Sequence, residues 1–320
     1  MAFGQYTNLD FDQIKTSIRD YLRANTNFTD YDFEGSNLSI IIDALAYNTY
    51  TTAYNTNMAA NECFLDSATL RENVVALARN IGYVPRSKKS SVATINFTVE
   101  PGITPPPTTI TLKKGPVAAS NAFGGQSFVF GLTKDVTKPV IDGVASFLDL
   151  DIKEGTVIDQ KFPYSTNNIN QRFILSNAGI DLSTLEVYVR PSATSSLLSS
   201  YTRQDSLFDA VTGSSITKDS LIYYIQEIED EQYELIFGDG IFGKELSDGN
   251  IVEVSYILTN GSEANGISNL SFAGKCTYTR NAVENTITSG ISIVTANIPS
   301  SGGDEIESVD SVKKFAPQIY

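Results

Sequence analysis

The sequence predicts an α+β protein, with an N-terminal helical hairpin or bundle segment followed by a mainly antiparallel β-domain. Apolar side chains recur every three or four positions up to Gly82, whereas from Ser90 onward they alternate at a period of two. With 320 residues, 41% of them hydrophobic, the chain is long enough to bury a core in each part. We expect a helical assembly region over residues 1–89, a β-domain over residues 90–300, and a hinge with the start of a further helical segment over residues 301–320.

The first helix is predicted to begin after Asp10, a residue type whose side chain caps free backbone N–H groups. It is expected to end near Asn25 to Asn27. Its apolar positions fall on one stripe at three- and four-residue spacing, namely Phe11, Ile14, Ile18, Tyr21 and Leu22.

Two more helices are predicted before the change of period. The second runs from Gly35-Ser36 to about Phe64, a length of roughly 40 Å at 1.5 Å per residue. The third begins between Asp66 and Thr69, with Glu72 placed to complete a capping box, and stops at Gly82.

The centre of the second helix, Tyr47 to Asn57, is rich in Tyr, Asn and Thr, which are mediocre helix formers. Contacts outside the helix must therefore stabilise it. A tyrosine row at helical spacing fits either internal packing or a surface that faces a partner. We favour partner contact, because tyrosine combines a large area with a polar tip. The residues expected at this interface are Leu38, Ile42, Leu45, Tyr47, Tyr50 and Tyr54.

The β-domain begins with an alternating pattern of inward-facing positions at Ala93, Ile95, Phe97 and Val99. Short apolar runs then recur between clusters of Gly, Asn, Asp and Ser, as expected for strands joined by turns. These runs are Ile110 to Leu112, Phe128 to Phe130, Arg172 to Leu175, Leu185 to Val189, Leu221 to Ile225, Tyr233 to Phe237 and Ile251 to Leu258. Many short strands joined by turns predict an antiparallel, mainly β fold.

Composition excludes several classes of function. The chain has no histidine, which removes the commonest general base and the commonest transition-metal ligand. Cys63 and Cys276 lie in regions of different character, so we expect two small buried residues and no metal or cofactor. A net charge of -14 argues against nucleic-acid binding. We expect neither a signal peptide nor a membrane span, since no apolar stretch is long enough.

Residues 237–250 are the segment densest in glycine and aspartate. A calcium loop would need alternating oxygen ligands ending in a bidentate Glu, and a phosphate loop would need Gly-Lys-Ser/Thr at the start of a helix. Neither pattern is present. We therefore interpret Gly238, Asp239, Gly240 and Gly249 as residues of successive hairpin turns.

An acidic cluster could in principle supply the paired carboxylates of a glycosidase. It consists of Glu227, Glu229, Asp230 and Glu231. Because the cluster lies between two strand patterns, we favour a solvated turn.

The predicted ends of the β-domain carry two further candidates. Arg86, Lys88 and Lys89 could meet an acidic partner, although a merely solvated cluster is the favoured interpretation. Gly302 and Gly303 are expected to form a flexible hinge.

Two separate segments resemble the baseplate J-like proteins. Asp30-Tyr-Asp-Phe-Glu-Gly-Ser-Asn-Leu, with Leu45-Ala-Tyr-Asn-Thr and Asn80-Ile-Gly-Tyr-Val-Pro, is similar to the N-terminal helical region of one wedge subunit. That subunit forms the inner ring of the baseplate in T-even-type, contractile-tailed bacteriophages. Phe237-Gly-Asp-Gly, with Val254-Ser-Tyr, is similar to the β-domain signature of J-like proteins generally. The chain resembles the N-terminal half of such a subunit, or a shortened member.

The resemblance implies a structural subunit of the virion tail baseplate, synthesised in the host cytoplasm. It implies two copies per wedge, forming a homodimer, whose N-terminal helices bundle with another wedge protein. Six wedges would close into a ring around a central hub and would transmit the rearrangement that triggers sheath contraction. No catalysis is implied.

Two other functions stay open at this point. A β-rich receptor-binding tail protein, or adhesin, would bind glycan even after deletion of residues 1–89. A carboxylate-based glycan hydrolase would release reducing sugar until one acidic residue became its amide. The assembly function predicts neither result.

Overall fold

The structure is a computed structural model that describes residues 7, 10–24, 37–204, 216–292, 294–296 and 298–318. The chain divides into two compact units. The helical unit comprises Met1–Tyr83 and Val309–Tyr320, and the β-unit comprises Val84–Ser308. Helices at the N-terminus followed by a mainly antiparallel β-region confirm the predicted α+β class.

The helical unit contains α1 (Phe11–Arg23), α2 (Asn37–Glu62), α3 (Arg71–Asn80) and α4 (Val309–Phe315), followed by a 3₁₀ turn (Ala316–Gln318). Asp10 caps α1 as predicted, because its carboxylate accepts the backbone N–H of Gln13 at 3.1 Å. The end predicted for α1 near Asn25 to Asn27 and the start predicted for α2 at Gly35-Ser36 both lie outside the described residues.

Helices α1 and α2 form an antiparallel pair. The backbone N–H of Thr7, just before α1, donates to Asn57 Oδ1 at 2.9 Å. Further along α1, the ammonium group of Lys15 lies 2.5 Å from Asp43 Oδ1. Contacts therefore move toward the start of α2 as α1 proceeds, so the two helices run in opposite directions.

Helix α3 packs with α4 around a small apolar core. Its buried members are Ala68, Val74, Ala78, Val312 and Ala316. The last described helix of the chain therefore belongs to the same unit as the first three.

The start of α3 differs from the prediction. The helix begins at Arg71, its N-cap residue Leu70 makes no side-chain cap, and no capping box with Glu72 is formed. Instead, the carboxylate of Glu62, at the end of α2, accepts the backbone N–H groups of Thr69 at 2.8 Å and Leu70 at 3.3 Å. The capping box was wrong because a carboxylate at the end of the preceding helix already accepts these N–H groups.

The described part of the β-unit contains seventeen strands. They are β1 Val92–Val99, β2 Thr109–Leu112, β3 Gly115–Ser120, β4 Val129–Leu132, β5 Val136–Pro139, β6 Ala145–Glu154, β7 Thr156–Pro163, β8 Phe173–Leu175, β9 Ile180–Arg190, β10 Ser199–Arg203, β11 Ile222–Glu227, β12 Tyr233–Phe237, β13 Ile251–Leu258, β14 Leu270–Phe272, β15 Cys276–Arg280, β16 Val283–Ile287 and β17 Thr295–Ala296.

The strands form three sheets. A six-stranded sheet has the order β14-β3-β4-β6-β1-β17, a seven-stranded sheet has the order β7-β13-β9-β10-β11-β12-β8, and a four-stranded sheet has the order β16-β15-β2-β5. Among the pairings between the described strands, only that of β10 with β11 is parallel. Strand β1 buries alternate residues, as its sequence pattern predicted.

The β-unit has two apolar cores, and one lies within an insertion. Strands β7 to β13, which are continuous in sequence, enclose the core around Tyr233, Leu235 and Tyr256. The other core draws on residues before and after that stretch, and in it the rings of Phe97 and Phe147 stack with their centroids 4.8 Å apart. The seven-stranded sheet is therefore inserted between β6 and β14.

Candidate assembly surface

Helix α2 offers the candidate site, because a long part of it is uncharged. Residues 44–61 contain no charged side chain, although 19% of the whole chain is charged. A solvated helix normally carries charges on its outer face. The composition of α2 is therefore that of a helix whose outer face is covered.

One face of α2 lies inside the helical unit. Its buried residues are Ser39, Ile42, Ala46, Asn57 and Asn61. Two asparagines among them show that part of this face is polar. Asn61 Nδ2, for example, donates to the backbone C=O of Asn57 at 2.7 Å.

A second face of α2 is exposed along the whole helix. Its positions are Ile40, Ala44, Tyr47, Thr51, Tyr54 and Met58, which we call the 40–58 stripe. The side chains of Ile40, Tyr47 and Tyr54 are 60%, 67% and 48% exposed. The spacing alternates between four and three residues, which is the spacing at the seam where two helices pack in a left-handed coiled coil.

Helix α1 leaves the pair of helices only half covered. None of its residues is buried, and its predicted apolar stripe is at most half-buried, with Tyr21 73% exposed. Two helices alone rarely enclose a core, because each presents an apolar stripe wider than one neighbour covers. The described α1–α2 pair therefore has room for further helices against it.

Several threonine hydroxyl groups on the outer part of α2 are already used within the helix. Thr51 Oγ1 donates to the backbone C=O of Tyr47 at 3.0 Å, and Thr49 Oγ1 donates to that of Leu45 at 2.9 Å. Thr52 Oγ1 lies 3.3 Å from Asn48 Oδ1. A partner would therefore meet threonines with satisfied donors, next to tyrosine rings and apolar side chains.

The six interface residues expected from the sequence fall in different places. Leu45, Tyr47 and Tyr54 are exposed, Leu38 and Tyr50 are half-buried, and Ile42 is buried at 1% exposure. Ile42 is thus not accessible in this structure. The interface itself stays a prediction.

Sequence reasoning missed Ile40, Ala44 and Met58. All three are exposed and share the face of Tyr47 and Tyr54. The heptad spacing of Ile40, Tyr47 and Tyr54 was a signal that could have found this face.

The glycine-rich loop between β12 and β13 is made of turns that are not hairpins, so that part of the prediction was wrong. The two strands are not neighbours in the seven-stranded sheet. The side chain of Asp239 accepts the N–H groups of Ile241 and Phe242 at 2.9 and 2.8 Å, and these bonds lower the pKa of its carboxyl group. Gly240 and Gly249 have positive φ angles of 81° and 79°.

Gly238 has a different reason to be glycine. A Cβ atom there would overlap the backbone of Gly243, with which this residue is in direct contact. The two glycines let the loop fold back closely on itself.

The acidic cluster is only partly a solvated turn. Glu229 and Asp230 are exposed in a 3₁₀ turn between β11 and β12, but Glu227 is buried at 3% exposure, because it lies on the inward side of β11. Among the described residues no group of acidic or cysteine side chains could hold a metal ion. Cys63 is exposed, contrary to prediction, whereas Cys276 is buried as expected.

The basic cluster is satisfied within the β-unit in two of its three members. Lys88 Nζ lies 3.0 Å from Glu305 Oε2, and Arg86 Nε lies 3.9 Å from Glu307 Oε2. Lys89 is joined through its backbone to Asp304. The hinge expected at Gly302 and Gly303 stays a prediction, and both glycines lie in the segment that carries these acidic partners.

Known proteins resemble the chain in both parts. The family model described as "Baseplate wedge protein gp6-like, helical domain" matches residues 10–83. A curated relative, the baseplate wedge protein gp6 of Enterobacteria phage T4, is 28% identical over 284 residues, which are 83% of this chain and 41% of that protein. The helical part of the chain is therefore similar to the helical domain of the gp6-like baseplate wedge proteins, and most of the chain is similar to one such protein. Both matches are to baseplate wedge proteins, and the curated one comes from a phage.

The chain spans less than half the length of the curated relative it matches. Among solved structures, the cryo-EM structure of the anti-feeding prophage (AFP) baseplate, 6-fold symmetrised, has a chain that matches 96% of the present chain over 52% of its own length. The identity is 13% and the TM-score is 0.29. No helix within the described residues is long and apolar enough to cross a membrane.

Proposed function

We propose that this chain belongs to a structural, non-enzymatic baseplate wedge subunit whose 40–58 stripe packs against a helix of another baseplate subunit. The observation that carries the proposal is the stripe itself: an exposed, uncharged face with coiled-coil spacing along a 26-residue helix. The finer arrangement is also part of the proposal. In this arrangement each wedge contains a homodimer, and six wedges form an inner ring around the hub. The ring transmits the rearrangement that triggers sheath contraction.

The energetics favour a contact made by a few large side chains. Burying a side chain the size of Ile or Phe is favourable by about 1.5–3 kcal/mol relative to leaving it exposed to water. Three large exposed side chains follow one another along the stripe at a spacing of seven residues. They are Ile40, Tyr47 and Tyr54. Tyrosines near the centre of an interface are frequent hot spots. We expect these residues to supply most of the binding free energy.

The test replaces Tyr47 and Tyr54 together by serine, which has similar helix propensity. Loss of two hot-spot side chains should weaken association at least about a hundredfold. The measurement is size exclusion with light scattering after coexpression with the other wedge subunits of its baseplate. The contact surface is lost while the helix is kept, so the circular dichroism spectrum should not change.

A matched control replaces Asn48 and Asn55, which have the same spacing on the same helix and are exposed outside the stripe. The Asn48→Ser, Asn55→Ser variant should assemble like the unaltered protein. Equal assembly by the tyrosine variant would refute the proposed contact, and equal loss by both variants would show that α2 is needed only as a folded helix.

A further inference from the structure

The segment that leaves the β-unit is paired with the segment that enters it. The outgoing segment is residues 301–307, and the incoming segment is residues 86–92. Lys89 and Asp304 each donate a backbone N–H to the other's C=O at 3.0 Å. Val92 and Ser301 exchange the same two bonds at 2.9 and 3.0 Å. The two segments are therefore antiparallel, and Glu307, at the end of one, lies beside Arg86, at the start of the other.

Side chains fasten this pair. Glu307, which is 3% exposed, accepts the backbone N–H of Arg86 on Oε2 at 2.9 Å. Glu305 accepts from Ser262 Oγ at 2.8 Å. Asn265 bonds to both backbone groups of Gly303 at 3.0 Å. All of these side-chain contacts are hydrogen bonds between polar groups.

The outgoing segment has almost no apolar anchor of its own. Within residues 301–307 the one apolar side chain is Ile306, and it is half-buried. Before the segment, Ser300 is held on both backbone groups by Gly266 and Ile267, at 2.7 and 2.8 Å. After it, Val312 is buried in the core of the helical unit. A polar link between two anchored points is the kind of element that opens at low free energy, because apolar burial supplies most of the stability of folded structure.

The incoming segment bonds to two strands of the β-unit, β9 and β6, whereas the outgoing segment bonds to Ser262 and Asn265, which lie outside the strands. Ser90 N–H donates to the buried carboxylate of Asp181 at 3.0 Å, and Ser87 Oγ accepts the N–H of Leu182 at 3.0 Å. Val92 also pairs with Lys153 on β6. If the two segments separate, the incoming one stays on the β-unit and the outgoing one leaves.

We propose that residues 301–307 form a strap that peels from the incoming segment as a unit while the β-unit stays folded. When the strap leaves, its bonds to Arg86, Lys89 and Val92 and those to Ser262 and Asn265 are lost together, because no buried apolar side chain holds any part of it in place. Gly302, with a φ of 83°, and Gly303 supply the backbone freedom for the strap to swing about Ser300. The strap goes beyond the assembly function, which needs only the 40–58 stripe.

Hydrogen exchange of the full chain, followed by mass spectrometry or NMR, tests the strap. The amides of Ser301, Asp304 and Glu307 should exchange together, and at least about tenfold faster than the amides of β1 that bond to β6. Glu307→Gln should speed the strap amides about tenfold further and leave β1 unchanged, because a bond to a charged acceptor is lost. The matched control is Glu263→Gln, at an exposed residue with no side-chain bond among the described contacts.

If Glu307→Gln fails to fold, a disulfide cross-link between the strap and the incoming segment tests the proposal instead. Lys89→Cys with Asp304→Cys, in a Cys63→Ser background, places two thiols across a hydrogen-bonded antiparallel pair, whose Cα atoms lie about 5.5 Å apart, within disulfide reach. Oxidation should slow the strap amides to the rate of β1, and reduction should restore fast exchange. Strap amides that exchange as slowly as β1 before oxidation, or that stay fast after it, would overturn the proposal.

Discussion

At the scale of single residues, Glu62 shows how one carboxylate fixes the joint between two helices. Partial burial opposes its ionisation, but hydrogen bonds from the side chains of Thr69 and Asn73 and from the backbone of Thr69 and Leu70 outweigh burial. The net effect lowers the pKa of Glu62 to about 2 from its ordinary value of 4.5. The residue thus acts as a cap for α3 supplied by the preceding helix.

Glu62→Gln is expected to destabilise the helical unit by about 1–2 kcal/mol, a figure reduced for solvent screening at a half-buried group. Because the folded pKa lies below the unfolded one, the contribution of Glu62 is complete above pH 4.5 and is lost as the pH falls toward 2. Thermal unfolding between pH 7 and pH 2 measures both effects. The difference between the two proteins should shrink in acid. Glu72→Gln, at an exposed residue of α3, should change stability by less than about 0.5 kcal/mol.

Two positions in the β12–β13 loop require glycine for different reasons, lack of space for a Cβ atom at Gly238 and a positive φ angle at Gly249. Gly238→Ala should cost about 2–3 kcal/mol, because its Cβ would overlap the backbone of Gly243. Gly249→Ala should cost about 1 kcal/mol, because its φ is 79° but the space around it is open. Denaturant unfolding of both variants checks the order. Equal losses would show that backbone conformation alone sets the requirement.

At the scale of elements, local sequence signals predicted which segments are helices and strands, and less of what they contact. Asp10 and the apolar period located α1, and the alternation after Ser90 located β1. The period of α2 was also evident, but a helix with apolar residues at Ile40, Ile41 and Ile42 has more than one apolar face. Only the tertiary packing decides that Ile42 is inside and Ile40 outside, and no local pattern encodes that choice.

Helix α4 packs against α3, an element that is distant in sequence. Val312→Ala should destabilise the helical unit by about 1–2.5 kcal/mol, because Val312 is fully buried with Val74 and Ala78 of α3. Hydrogen exchange should show faster exchange at α3 amides and no change at β1, which lies in another core. The control Phe315→Ala removes a larger but exposed side chain, and it should have the smaller effect. An effect on β1 equal to that on α3 would mean that the two cores unfold together.

At the scale of the whole molecule, the chain is built by insertion. The β-unit lies between α3 and α4 in sequence, and the seven-stranded sheet lies between β6 and β14. Each insertion leaves beside the place where it enters. Thr156 pairs with Leu258, and Glu154 accepts from Thr259 Oγ1 at 2.6 Å at the inner junction, just as Lys89 pairs with Asp304 at the outer one. This arrangement lets a long insertion fold as a unit without separating the residues on either side of it.

The sequence by itself determined the class of the protein, because hydrophobic period, capping residues and the two family-like segments are local properties that can be read along the chain. Only the tertiary structure decided which face of α2 is free, that Glu62 caps α3, and that residues 301–307 lie along residues 86–92. These facts depend on contacts between residues far apart in sequence. Such contacts are selected by the packing of the whole chain, and many different partners would satisfy the same local pattern.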